Sequence, residues 1–252
     1  AFNSKKSSEL EQNFYVEALV KEIHLRGDNS SVETIYFGGG TPTTLTLIQL
    51  EKIICAVWEN FSVDKQAEIT IEANPSTIDE NYLCGLKLLG FNRLSLGVQS
   101  FDDALLNILG RIHNSKTAVE MVELARKFFN NVSLDLMYGL PNQNYKIWEN
   151  TLKTALELDM AHISLYGLKI EKGTKYYKFL PENLPSMDIQ ADMYKLAAEI
   201  LEDKYKHYEF SNFAKSEKYF SSDFFVFNHR RQNRRLQSLQ AIHATHCNHK
   251  KA

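Results

Sequence analysis

The sequence predicts an α/β protein, a partial (β/α) barrel of the TIM type whose parallel strands come from repeated βαβ units. Two observations predict this fold class. Short strand-like runs alternate with longer amphipathic helical patterns, and polar residues able to bind a ligand recur where those runs end. In a parallel barrel the carboxyl ends of all strands converge on one mouth, whereas an open sheet would place such residues only at its topological switch point.

The strand-like runs are short and apolar, and turn residues bound them. The predicted strands are residues 32–37, 68–73, 93–98, 133–138 and 162–166. The predicted helices are residues 47–60, 79–89, 115–129, 145–158 and 187–203. At the first of these helices, Thr46 and Gln49 have the spacing of a capping box, which marks the point where the helix begins.

The residues suited to ligand binding follow the strands in chain order. They are Gly38 to Gly40, then Glu72 with Asn74, then Gln99, then Asp135 with Gly139, and finally Tyr166. Because each group lies at or near the carboxyl end of a predicted strand, we expect one binding mouth rather than scattered polar positions.

The first group belongs to the segment IYFGGGTPT, residues 35–43. It matches neither a P-loop, since no Gly-Lys-Ser/Thr follows, nor the G-x-G-x-x-G pattern of dinucleotide-binding folds. A tight turn between strand and helix would explain one glycine. Three consecutive glycines favour a backbone whose amides and carbonyls touch a small polar ligand.

Composition describes an ordinary globular chain with an unusual end. The 252 residues include 29 basic and 31 acidic ones, and 44% of residues are hydrophobic. No apolar run is long enough to cross a bilayer and no export signal is recognisable, so we expect a cytoplasmic protein without a membrane span. Residues 224–252 contain six basic residues and no acidic one. We therefore expect a core over residues 1–215 and a separate basic tail over 216–252.

The three cysteines, Cys55, Cys84 and Cys247, are widely spaced. An odd number at such spacing predicts neither a disulfide framework nor a C-x-x-C pair. We expect free thiols, two of them in the core.

Five motifs in order carry a family resemblance. They are YFGGGTPT, IEANPST, RLSLGVQSFDDALLNILGRIH, SLDLMYGLPNQ and HISLYGLKIEKGT. Together they resemble the radical S-adenosylmethionine (SAM) proteins of the oxygen-independent coproporphyrinogen III oxidase group, over residues 1 to about 215. The opening AFNSKKS is similar to the branch of HemW-like haem chaperones, which read C-x-F-N-S there, rather than to the dehydrogenases with C-G-C-N. The resemblance implies a partial barrel of the radical SAM type.

The resemblance also implies a site for S-adenosylmethionine. Its residues would be Gly39, Gly40, Thr41, Glu72, Gln99, Arg111 and Asp135. The glycine segment matches the backbone that meets the methionyl amino group, and Arg111 is the natural partner of the carboxylate. Carboxylates and amides suit ribose hydroxyls and ammonium. Taken singly, these residues could also be solvated strand ends, a surface charge at a helix end and a turn residue.

The sequence departs from the family pattern at the cluster. In the family, a C-x-x-x-C-x-x-C triad holds a 4Fe-4S cluster, and this sequence contains no such triad. The resemblance places the last cluster cysteine immediately before Ala1, so we expect the cluster ligands and the first barrel strand upstream of it. Cys55 and Cys84 lie in predicted helices and cannot replace the triad.

The second departure is the tail, which diverges from the family's C-terminal region and lacks its H-N-x-x-Y-W motif. His243, His246, Cys247 and His249 are suitable residue types for a metal, but their spacing matches no known zinc pattern, so no metal site is expected. The arginine pairs lack interleaved aromatic residues, and no nucleic acid is expected as a partner.

Two functions remain open at this stage. The first is a radical SAM protein of porphyrin or haem metabolism, acting as a haem chaperone or as a coproporphyrinogen III oxidase. It implies S-adenosylmethionine and a 4Fe-4S cluster as cofactors, haem as a further candidate ligand, and a haem-acceptor protein as a candidate partner. The second is a non-catalytic barrel or interaction module that has lost the cluster and haem ligands.

Overall fold

A computed structural model describes residues 7–215 and the strand Ile242–His246. The described residues form two compact units. The amino-terminal unit contains residues 7–72, 79–93 and 242–246, and the carboxy-terminal unit contains residues 73–78 and 94–215.

Helices and strands alternate along the chain. The helices are α1 (Glu9–Arg26), α2 (Leu47–Asn60), α3 (Glu80–Leu88), α4 (Asp103–Ile108), α5 (Ser115–Phe128), α6 (Tyr145–Leu158), α7 (Lys175–Lys178) and α8 (Met187–Leu201). The strands are β1 (Ser31–Phe37), β2 (Ser62–Ala73), β3 (Arg93–Gln99), β4 (Asn131–Tyr138), β5 (His162–Gly167), β6 (Lys206–Glu209), β7 (Asn212–Ala214) and β8 (Ile242–His246). All five predicted strands and all five predicted helices are present, with ends that shift by one or two residues, except that β2 begins at Ser62 rather than at residue 68.

In the amino-terminal unit β1 lies between β2, to which it runs parallel, and β8, to which it runs antiparallel. Ile35 pairs with Ile69 across β1 and β2, and both are buried. Helix α2 begins with the predicted capping box: the Thr46 side chain accepts from the Gln49 amide, and the Gln49 side chain accepts from the Thr46 amide. These contacts fix the point at which the chain after β1 turns back as a helix.

In the carboxy-terminal unit the strand order is β6-β7-β5-β4-β3. Strands β4 and β5 are parallel, whereas β7 pairs antiparallel with both β5 and β6. The largest wholly buried side chain of this unit is Trp148 of α6, whose Nε1 donates to the Met193 carbonyl of α8 at 2.8 Å. That bond joins the two helices within the core of the unit.

The cysteines differ from expectation. Cys55 and Cys84 are exposed on α2 and α3, so the prediction that two cysteines lie in the core was wrong for this pair. Their helices turn these positions outward, and a cysteine has no sequence signature that separates the two faces. The side chains of His243, His246, Cys247 and His249 lie outside the described residues.

Within the ranges given above, the helices are too short or too polar to span a membrane.

Candidate functional site

The glycine segment follows β1 directly, and its three glycines are required for two reasons. A Cβ on Gly38 would lie 2.7 Å from the Tyr36 ring and 3.0 Å from a Glu72 oxygen. Gly39 and Gly40 have φ angles of 83° and 54°, in the left-handed region that glycine adopts most easily. Gly40 is exposed, and a Cβ there would meet nothing within 4 Å. The backbone on this side is therefore open to a ligand.

Thr41 ends the glycine segment and begins a short 3-10 turn, Pro42–Thr44. Its carbonyl accepts from the amide of Thr44 at 3.0 Å and from the hydroxyl of Thr44 at 2.8 Å. These bonds commit the Thr41 carbonyl to the turn, so the contribution of Thr41 to a ligand would come from its amide or hydroxyl.

Glu72, near the end of β2, holds the glycine segment in place. Its Oε2 accepts from the Gly39 amide at 3.0 Å, and its Oε1 accepts from the Tyr36 hydroxyl at 2.9 Å. A carboxylate accepts hydrogen bonds with both of its oxygens and is a suitable acceptor for hydroxyl and ammonium groups. The structure thus brings two of the predicted residues, Gly39 and Glu72, into direct contact.

Gln99 is the last residue of β3 and has a φ of 72°, which is uncommon for any residue but glycine. Its side chain is buried, and a Cβ on Gly97 would approach its Nε2 to 3.0 Å. Gly97 therefore makes room for the amide. Strained backbone of this kind is concentrated at ligand-binding positions, and it is retained only where the surrounding structure imposes it.

Arg111 and Asp135 interact in the carboxy-terminal unit. Asp135, in the middle of β4, accepts from the Ser95 hydroxyl with Oδ1 at 3.1 Å and Oδ2 at 3.2 Å. Arg111 lies between α4 and α5; burial lowers its pKa and the charge of Asp135 raises it. A half-buried guanidinium beside a half-buried carboxylate suits a ligand that carries both signs of charge.

His113 was not among the predicted residues, yet it is deeply buried beside them. Its Nδ1 lies 3.0 Å from Oδ1 of Asn74, and its Nε2 lies 3.2 Å from the carbonyl oxygen of Val98. Burial lowers the pKa of His113, the Val98 carbonyl raises it, and the charge of Arg111 lowers it. No local signal pointed to this residue, because a single histidine between helices looks like a surface residue.

The seven predicted residues therefore fall into two groups. The glycine group consists of Gly39, Gly40, Thr41 and Glu72 in the amino-terminal unit, and the arginine group consists of Gln99, Arg111 and Asp135 in the carboxy-terminal unit. The glycine group offers backbone and a carboxylate, which suit ammonium and hydroxyl groups, and the arginine group offers a guanidinium, which suits a carboxylate.

The described residues do not fit an iron–sulfur cluster. Throughout the two units there is no group of three or more histidine, cysteine or acidic residues that could hold a metal. Cys55 and Cys84 lie on separate helices and face solvent. A 4Fe-4S cluster needs several thiolates at one place, and this part of the chain does not supply them.

Residues 1–155 match the Radical SAM superfamily. The chain belongs to the radical SAM superfamily. Membership implies S-adenosylmethionine and a 4Fe-4S cluster as the cofactors of the family. A solved structure, the radical SAM enzyme coproporphyrinogen III oxidase (HemN) from Escherichia coli, matches with a TM-score of 0.78 and 29% identity, over 84% of this chain and 50% of that one. This likeness confirms the predicted fold class, a partial barrel of the radical SAM type.

Curated relatives of this radical SAM chain include two bacterial proteins and a mitochondrial one. The heme chaperone HemW of Bacillus subtilis is 39% identical over 211 residues, covering 80% of this chain and 56% of the relative. HemW of Lactococcus lactis is 37% identical over 204 residues, covering 79% and 54%. Radical S-adenosyl methionine domain-containing protein 1, mitochondrial, of Mus musculus is 37% identical over 190 residues, covering 73% and 43%. The chain spans about half the length of the curated relatives it matches.

Proposed function

We propose that this chain is the S-adenosylmethionine-binding part of a HemW-like haem chaperone. The observation that carries the proposal is its 39% identity to the heme chaperone HemW of Bacillus subtilis, joined to the likeness with coproporphyrinogen III oxidase. In the radical SAM family, S-adenosylmethionine supplies an adenosyl radical when a cluster reduces it. The described residues include no thiolate triad, so the role proposed for them is to bind the ligand rather than to reduce it.

Each group of residues offers its own contacts to S-adenosylmethionine. In the glycine group, the open backbone at Gly40 and the Glu72 carboxylate would receive the methionyl ammonium. In the arginine group, Arg111 would pair with the methionyl carboxylate, while Asp135 and the Gln99 amide would accept from or donate to the ribose hydroxyls. Porphyrin or haem as second ligand, a haem-acceptor protein as partner, a cytoplasmic location and the domain boundary at residue 215 belong to the same proposal.

A second candidate is a non-catalytic barrel or interaction module. The observation that favours it is the absence of a thiolate triad from the sequence and of a metal-binding cluster from the described residues. The genomic or transcript sequence on both sides of these 252 residues distinguishes the two. A C-x-x-x-C-x-x-C upstream supports the haem chaperone, and its absence there supports the module.

The site assignment predicts weaker binding of S-adenosylmethionine in two variants. In a version extended upstream to carry the triad, Glu72→Ala and Arg111→Ala should each weaken the calorimetric affinity while the fold stays intact. Loss of a charge-assisted hydrogen bond costs about 1.5–3 kcal/mol, which is roughly tenfold or more in affinity. Matched controls are Glu51→Ala and Lys172→Ala, which remove one charge of each sign from exposed positions. Unchanged affinity in both site variants would refute the assignment.

A haem titration followed by Soret absorbance tests the second ligand. We expect weak binding by the 252-residue chain, contributed by His243, His246 or His249, and its loss when the chain ends at Ser222. Histidine ligates haem iron. Tight stoichiometric binding by the shorter chain would instead locate the haem site among residues 1–222.

A further inference from the structure

The ring of His113 contacts two other segments of the carboxy-terminal unit, one through each of its nitrogens. Its side chain is 4% exposed. Nδ1 lies 3.0 Å from Asn74 Oδ1, just after β2, and Nε2 lies 3.2 Å from the Val98 carbonyl oxygen in β3. A buried ring held from both nitrogens has one orientation.

Both of these partners are hydrogen-bond acceptors. The Val98 carbonyl can only accept. The Asn74 amide is oriented by Ser76, whose backbone amide and hydroxyl both donate to the same Oδ1, at 3.3 Å and 3.1 Å. Reversing the amide would set its NH₂ group against the Ser76 amide, so the hydrogen-bond network assigns Oδ1 to the side that His113 faces.

The geometry therefore selects a protonation state of the ring. A neutral imidazole has one N–H and one lone pair, so one of its nitrogens would face an oxygen lone pair across about 3 Å. An imidazolium donates from both nitrogens and satisfies both contacts. The two contacts can be hydrogen bonds at the same time only when His113 is protonated.

The segments that contain His113, Asn74 and Val98 contain or adjoin predicted binding residues. Val98 directly precedes Gln99, the residue with the strained backbone. His113 follows Arg111 by two residues, and Asn74 follows Glu72 by two. The imidazole ring of His113 thus links three segments of the chain. A change in its hydrogen bonds would alter the position of each segment.

We propose that His113 is a positioning residue for S-adenosylmethionine, acting as an imidazolium that donates to Asn74 and Val98 when the ligand is bound. The inference rests on the proposed binding of S-adenosylmethionine to this chain. The proposal implies that the protein takes up a proton when S-adenosylmethionine binds.

The charges around the ring give the sign of this linkage. In the chain without ligand, burial and Arg111 lower the pKa of His113 whereas the Val98 carbonyl raises it, so the positive charge of Arg111 opposes the imidazolium that the two hydrogen bonds require. The negative charge of Asp135 raises the pKa of Arg111. Asp103 of α4 has its pKa lowered by the Ser115 amide and stays ionised. A ligand carboxylate paired with Arg111 offsets its positive charge and so raises the pKa of His113. Binding then takes up a proton, and by reciprocity the affinity rises as pH falls through the pKa that His113 has in the complex.

Calorimetric titration of the 252-residue chain with S-adenosylmethionine tests the proposal. Titrations at about pH 6.5, in buffers of different ionisation enthalpy, give the number of protons taken up. We expect net uptake by the unmodified chain. In His113→Gln we expect about tenfold weaker binding, as for one charge-assisted hydrogen bond, and no uptake. A long-range proton–nitrogen correlation spectrum of the unmodified chain gives a second readout, in which both His113 nitrogens become protonated on binding.

The matched control is His162→Gln. His162 is also wholly buried in the carboxy-terminal unit, and both of its nitrogens are engaged, with Ser133 Oγ and Tyr208 OH each at 2.7 Å. A general loss of core packing should affect both variants, whereas only His113→Gln should lose the proton uptake. Equal affinity and equal uptake in His113→Gln and the unmodified chain would overturn the role of His113 and leave the proposed function standing. If the unmodified chain binds no S-adenosylmethionine, the proposed binding fails, and this inference fails with it.

Discussion

Anaerobic reconstitution of the 252-residue chain with iron and sulfide should leave it without a stable 4Fe-4S cluster. The sequence has three cysteines and no C-x-x-x-C-x-x-C. Cys55 and Cys84 are exposed on α2 and α3, and Cys247 lies outside the described residues. A cluster is retained only where three thiolates lie at one place. We therefore expect the chain to retain no cluster at all, rather than to bind one weakly.

The measurement is iron content per chain together with electron paramagnetic resonance after reduction. Cys55→Ser and Cys84→Ser serve as controls, and both should give the same background as the unmodified chain. A stoichiometric cluster signal in the unmodified chain, reduced in either variant, would contradict the expectation and identify a thiolate that takes part.

Replacing Trp148 by alanine should give the largest loss of stability among single changes in the carboxy-terminal unit. The side chain is wholly buried, and its ring lies 5.8 Å from that of Tyr138, centroid to centroid. Truncation leaves a large cavity and a Met193 carbonyl without its donor. Together these should lower the free energy of unfolding by about 3–5 kcal/mol.

Urea unfolding followed by far-ultraviolet circular dichroism measures this loss without relying on tryptophan fluorescence. Trp58→Ala is the matched control, because Trp58 is 47% exposed and the same change there should cost clearly less. Trp148→Phe keeps most of the volume and removes only the Nε1 donor, and it should lie between the two. A loss in Trp148→Ala no greater than in Trp58→Ala would show that α6 and α8 do not depend on this contact.

Most of the fold followed from the period of the apolar residues, and helix α1 shows where that signal fails. Val16, Leu19 and Ile23 are buried on one face of α1, whereas Leu10, Phe14 and Leu25 are exposed on other faces. Apolar residues on more than one face erase the amphipathic pattern from which a helix is predicted. Strand β2 was predicted too short for a related reason, because its first residues are polar and mostly exposed.

The site followed from the sequence only where residue type carried the information. The triple glycine indicated an open backbone, and the structure gives two reasons for it, close contacts at Gly38 and positive φ angles at Gly39 and Gly40. The left-handed backbone of Gln99 and the double contact of His113 depend on distant segments, which no local pattern encodes. Strand β8 was not predicted either, since its pairing with β1 joins positions about two hundred residues apart in a basic segment.

Strand β8 pairs with the side of β1 that does not face β2, and so covers that side in the sheet of the amino-terminal unit. It runs along β1 from Val32, opposite His246, to Phe37, opposite Ile242. An outer strand with unpaired amides and carbonyls is a template for a strand of another molecule. A chain cut after Ser222 would expose this row of β1, so the shortened protein used in the haem titration would tend to assemble edge to edge. Sedimentation of the shortened protein at the concentrations of the haem titration would show whether it assembles. A loss of haem binding by a protein that stays monomeric is a true loss of affinity, whereas a loss in an assembled protein could reflect burial of the haem site.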